Sequence, residues 1–246
     1  LLAENRKHIS SIPSASGADL VFELPLPWAL SSAEGFSRGA VGLLGELGCV
    51  DYLGFGSECG DMAILNSLAT ALLDPTMDSE IKEELKSGVS YAQARQCALF
   101  KSIGSLAEQL ETPNNILAVE YLKAIYTQRM RLEPITIARI GAGHDEEGGS
   151  ASDIRNMLAT GKPIKHFVPK PAYEIFNREI EQGRGPVLME DLERAIISRF
   201  RMMEEQDFSE LPDDSEGLGN RLFAAAHEES TLDGIIAAAK SKRYAL

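Results

Sequence analysis

The chain lacks any long apolar run: no stretch reaches the roughly 18 consecutive apolar residues of a membrane-spanning helix. Apolar residues are few at the start as well: Leu1 and Leu2 give way at once to Ala3, Glu4, Asn5, Arg6 and Lys7, a run that does not read as a signal peptide. Cysteine is scarce. Cys49, Cys59 and Cys97 form no CxxC pair, and the expectation is buried free thiols in a reducing, cytoplasmic compartment. Positive charge is in deficit, with 24 Lys and Arg against 37 Asp and Glu, a net −13. That balance excludes broad, non-specific nucleic-acid binding, which depends on neutralising phosphates, and requires any such surface to be local. Gly141-x-Gly143 lacks the third glycine of a dinucleotide fingerprint, and His144-Asp145 lacks further ligands at metal spacing. No internal repeat is visible.

What is present is an ordinary globular composition of 246 residues, 44% hydrophobic and 25% charged, enough for one large or two modest domains. Residues 19–25 read as a buried strand closed by Pro25, and 31–47 as a helix capped by Ser31 or Ser32 and ended by Gly48. Residues 50–55 read as a second strand. That order predicts a right-handed crossover in a parallel sheet. Helices follow over 61–73, 79–86, 91–110 and 114–126, the third with an apolar stripe of Ala92, Ala94, Cys97, Ala98, Phe100 and Ile103. The β-branched run 135–140 predicts a third strand.

Beyond a proline-rich linker at 166–171 only helical patterns occur, over 174–181, 189–204, 218–228 and 232–240. The expected architecture is therefore a parallel α/β domain over 1–168 and an all-helical domain over 169–246. Acidic residues crowd 190–216 and read as a solvated face and linker. Lys240, Lys242 and Arg243 form a small basic cluster near the end.

Two segments carry chemistry. Leu53-Gly54-Phe55-Gly56-Ser57-Glu58 is an apolar strand ending in glycines, where a ligand can approach the backbone. Ser150-Ala151-Ser152-Asp153-Ile154-Arg155 is a helix start whose hydroxyls, unpaired N–H groups and arginine suit a polyphosphate. Each has a plainer reading, as a turn glycine and a capped surface helix. Asn114 after Pro113 is a good N-cap as well as a candidate ligand contact. Arg139, interrupting the apolar run of Ile137 and Ile140, needs an anionic partner, either an internal carboxylate or a ligand phosphate.

With Pro113-Asn114-Asn115-Ile116-Leu117, Glu120-Tyr121-Leu122-Lys123-Ala124, residues 136–145 and Lys242-Arg243-Tyr244, these stretches occur in one order along nearly the whole chain. The ordered set resembles the tRNA(Met) cytidine acetate ligase family of HIGH-superfamily nucleotidyltransferases. The resemblance implies a Rossmann-like domain binding ATP, with Mg²⁺ assisting, through Gly56, Asn114 rather than Asn115, Arg139, Ser152 and Arg155. It implies acetate activated as acetyl-adenylate and transferred to the wobble cytidine of elongator tRNA(Met). In the helical segment, Arg221, Lys240, Lys242 and Arg243 are the residues expected to meet tRNA. The chain departs from the family in lacking its His-x-Gly-His motif, since the only histidines are His8, His144, His166 and His227. That departure leaves the catalytic residues unassigned and implies a central fragment, inactive as written. The alternatives are a nucleotidyltransferase with a small nucleotide-linked product and an RNA-binding homologue without catalysis.

Overall fold

Two helix starts in the first part of the chain are fixed by side chains that take the place of missing intrahelical partners. Ser32 accepts from Gly35 N–H to open α2 (Ala33–Glu46), after a short α1 (Leu26–Ala29). Asp61 accepts from Ala63 and Ile64 N–H to open α3 (Met62–Leu72). The structure is a computed structural model and describes residues 12–89, 91–139, 151–210 and 217–240. They fall into two compact units, one from the described residues of Phe22–Glu147 and the other from those of Leu1–Val21 and Gly148–Leu246.

In the first unit, β1 (Tyr52–Ser57) and β2 (Glu133–Ala138) form a parallel two-stranded sheet with Gly56 opposite Ile137. Between them run α3, α4 (Met77–Leu85), α5 (Tyr91–Ile103), a 3₁₀ turn (Gly104–Glu111) and α6 (Pro113–Gln128). The predicted helix over 91–110 breaks at Gly104, whose φ of +63° ends the α-helical run. Leu65, Leu68, Leu99, Val119 and Leu122 pack one core; Val41, Leu53, Ala124, Ile125 and Leu132 pack α2 and α6 against the sheet. This is the expected α/β, Rossmann-like class, and α6 is the element that reaches from the core to the end of β1.

Other expectations fail here too. Residues 19–25 are irregular and Leu20 is 69% exposed, because an apolar run becomes a strand only where a neighbour completes its hydrogen bonds. Among the described residues only β1 and β2 pair. The thiols are free but not buried: Cys49 and Cys97 are exposed and Cys59 is half-buried. On α5 the buried stripe is Ala94, Ala98 and Leu99, so Cys97 and Phe100 face outward.

In the second unit α7 (Ala151–Ala159), α8 (Lys170–Glu181), α9 (Met189–Met202), α10 (Glu205–Ser209), α11 (Leu218–Glu228) and α12 (Leu232–Ala239) are the elements, and no strand occurs among the described residues after 173. Phe208 is fully buried between Phe200 and Phe223, with ring centroids 5.7 and 5.8 Å away. Ile197, Ala225, Ala226 and Ile235 complete that core. No described helix is long and apolar enough to cross a membrane.

Candidate functional site

At the C-terminal end of the two-stranded sheet, the absence of a side chain at Gly56 leaves backbone open to solvent on one face. A Cβ there would lie 3.4 Å from Arg139 Cγ and 3.8 Å from the Ile137 carbonyl oxygen. The ladder continues one step past the strands, Arg139 N–H donating to the Ser57 carbonyl at 3.0 Å. Arg139 was expected inside the strand; instead β2 ends at Ala138 and Arg139 is exposed, so no burial penalty demands an internal carboxylate. Among the described residues its guanidinium meets one protein group, Asn114 Oδ1, at a long 3.5 Å. Gly56, Asn114 and Arg139, far apart in sequence, thus share one corner of the first unit.

The corner is built by groups that local patterning does not single out. Ser57 is buried; its hydroxyl bonds to Thr136 Oγ1 at 2.7 Å and accepts from Gly60 N–H at 3.0 Å. Gly60 has φ +59°, and a Cβ on it would strike Ala138 Cβ at 2.5 Å, so this turn admits only glycine. Asn114 is not the N-cap of α6. Thr112 holds that position without a side-chain bond, Pro113 is the first helical residue and Asn114 follows.

The capping is supplied instead by Glu58, reaching from the end of β1. Its carboxylate accepts from Asn114 N–H at 3.3 Å, Asn115 N–H at 2.8 Å and Asn114 Nδ2 at 2.6 Å. A carboxylate on a helix N-terminus also meets the positive end of the helix dipole. Burial pushes the Glu58 carboxyl up. Hydrogen bonds from the Asn114 side chain, its own backbone, the Asn114 backbone and the Thr112 side chain outweigh that and hold it below the ordinary carboxylate value. Asn115 is fully buried and consumed by the fold, accepting from Cys59 N–H at 3.1 Å and donating to the Gln109 carbonyl at 2.8 Å. That separates the two asparagines: Asn115 ties elements together, and Asn114 has its oxygen at the open corner.

Ser152 and Arg155 lie on the second unit, in the first turns of α7. Both are exposed, with Arg155 Nη1 3.5 Å from Ser152 Oγ. Arg221 is half-buried and its Nε donates to the Ala239 carbonyl at 3.1 Å, a contact that satisfies the C-terminal end of α12. Lys240 is exposed and, with ψ 137°, closes α12 at Ala239. Lys242, Arg243, Ser150, His144 and Asp145 lie outside the described residues. Among the described residues no group of three or more His, Cys, Asp or Glu could hold a metal ion.

Known proteins resemble this chain over nearly its whole length. A tRNA(Met) cytidine acetate ligase of Thermosipho africanus is 37% identical over 239 residues, covering 93% of this chain and 56% of that protein. One from Alkaliphilus metalliredigens is 38% identical, covering 94% of the chain and 60% of its own length. The crystal structure of Thermotoga maritima TmcAL bound with alpha-thio ATP superimposes with a TM-score of 0.87 at 32% identity, over 95% of this chain and 58% of that one. The chain therefore spans a little over half the length of the relatives it matches. The HIGH Nucleotidyl Transferase family model matches residues 12–246, and the chain belongs to the HIGH nucleotidyl transferase family.

Proposed function

We propose that this chain carries the ATP site of an ATP-dependent tRNA(Met) cytidine acetate ligase. The observation that carries the reading is the corner of Gly56, Asn114 and Arg139: open backbone, an outward carbonyl oxygen and an exposed guanidinium lacking a carboxylate among the described residues. Arg139 supplies fixed positive charge for a phosphate, Gly56 removes the side chain that would collide with it, and Asn114 fixes the nucleotide's neutral part. The α7 start, with Ser152 and Arg155, offers hydroxyl and guanidinium groups of the kind that suit phosphates.

In the reaction, an acetate oxygen attacks the α-phosphorus of ATP, the bond to the bridging oxygen breaks and pyrophosphate leaves. The exocyclic amine of the wobble cytidine then attacks the acetyl carbon, loses a proton and releases AMP. Positioning and charge neutralisation carry the first step, and the residues named act by holding phosphates rather than moving protons. Mg²⁺ would enter on the phosphates of ATP itself, since no described cluster of carboxylates offers a separate cage.

The tRNA part rests on Lys240, Lys242 and Arg243, because the net charge of −13 requires a local basic surface. Arg221 contributes to that surface only through the helix end it stabilises. The test is a salt titration of tRNA binding. In the full-length protein, replacing Lys242 and Arg243 by Gln should lower affinity and reduce the slope of log K against log salt by roughly 0.7–0.9 per lost phosphate contact. Adenylate formation there without tRNA should be unaffected. Normal tRNA binding by the double variant at every salt concentration would remove tRNA from this surface.

A further inference from the structure

The Asn114 carboxamide is flanked by two groups that cannot exchange hydrogen-bonding roles. On one side the Glu58 carboxylate, an acceptor only, is 2.6 Å from Asn114 Nδ2. On the other the Arg139 guanidinium, a donor only, has Nη1 3.5 Å from Asn114 Oδ1. Turning the amide over would set carbonyl oxygen against carboxylate and NH₂ against guanidinium, two repulsive pairs in place of two attractive ones. The orientation is therefore fixed by charge, with the oxygen outward. Glu58 is itself held, because its two oxygens also take the N–H groups of Asn114 and Asn115 at the head of α6.

This has a consequence for recognition. An outward amide oxygen repels a phosphate and accepts from a neutral donor. Beside an arginine that holds phosphate, the nearest donors on a nucleoside triphosphate are the ribose hydroxyls; the adenine amine lies further along the molecule. The α6 N-terminus, meanwhile, is closed to phosphate because Glu58 already fills it. We infer that Glu58 is a positioning residue that locks the Asn114 carboxamide with its oxygen outward, and that Asn114 thereby accepts a hydrogen bond from a ribose hydroxyl of the nucleotide. The inference rests on the ATP reading above and adds a substrate feature to it, selection for a ribonucleotide over a deoxynucleotide.

The test compares the wild-type chain with Glu58→Gln and Asn114→Ala, binding ATP, 2′-deoxy-ATP and 3′-deoxy-ATP. Glu58→Gln keeps shape but offers Asn114 a donor as well as an acceptor, so the amide loses its preferred orientation. ATP affinity should fall roughly tenfold, the scale of one net hydrogen bond. One deoxynucleotide should bind the wild type about that much more weakly and lose nothing further in Glu58→Gln. The two substitutions should overlap rather than add when combined. A Glu58→Gln loss equal for all three nucleotides, or full additivity with Asn114→Ala, would overturn the positioning role. The orientation has its own readout. The Asn114 side-chain NH₂ should give protected, shifted nitrogen-15 signals that collapse to ordinary values in Glu58→Gln, and unchanged signals would overturn the lock whether or not nucleotide binds. Failure of the wild-type chain to bind any of the three nucleotides would count against the ATP reading, and the amide signals would still decide the role of Glu58.

Discussion

Arg139→Ala should weaken ATP binding by roughly 2–4 kcal/mol, the scale for losing one preorganised charge contact, while leaving thermal stability nearly unchanged. The second half of that expectation gives the first its force. Arg139 is exposed, lies beyond the last residue of β2 and has only a long bond to Asn114 Oδ1 through its guanidinium among the described residues. Its backbone bond to the Ser57 carbonyl survives truncation of the side chain. A side chain so placed contributes little to folding, so a large loss of nucleotide affinity has no structural explanation. Lysine at the same position should restore only part of the affinity, because it keeps the charge and loses the planar fork. ATP binding unchanged in Arg139→Ala, measured by titration calorimetry alongside a melting curve, would rule out the role.

Glu120→Ala should lower the stability of the first unit by about 3 kcal/mol, and for different reasons. The Glu120 side chain on α6 is only 5% exposed and lies between Lys123 Nζ at 2.8 Å and Arg95 Nη1 at 3.7 Å; Lys123 also reaches Glu34 at 3.9 Å. Removing one member of a buried ionic cluster strands the others, at a typical cost of roughly 3–5 kcal/mol. The low end applies because Lys123 and Arg95 are each 18% exposed and can turn part of their charge toward water. Glu120→Gln keeps the volume and an acceptor and should cost less than Glu120→Ala. Denaturant titration of both variants decides it. A Glu120→Ala change within 0.5 kcal/mol of wild type would show that the cluster is solvated in practice and the burial argument wrong.

Those two residues were unequally legible in the sequence, and the difference is physical. Arg139 stood out because a guanidinium after an apolar β-branched run needs a reason. Glu120 is one acid among 37 and carries no local sign of its burial. Periodicity located β1, β2 and the helices well, since each buries a face whose spacing is written locally. It failed at 19–25, because an apolar run does not say whether a neighbouring strand exists. It failed also on the thiols, where Cys97 falls beside rather than on the buried stripe of α5. Asn114 was marked as an N-cap by its place after Pro113, yet its cap is Glu58, 56 positions earlier. A cap delivered across the fold leaves no trace within one helical turn of sequence. Arg221 and Lys240 looked alike as basic residues; only the Ala239 carbonyl distinguishes one as part of a helix end.

The most direct measurement is a crystal structure of this chain with alpha-thio ATP, the nucleotide analogue held by Thermotoga maritima TmcAL. The phosphates are expected against Arg139, over the open backbone of Gly56, with a ribose hydroxyl within hydrogen-bond distance of Asn114 Oδ1. A nucleotide bound away from Gly56, Asn114 and Arg139 would contradict the account.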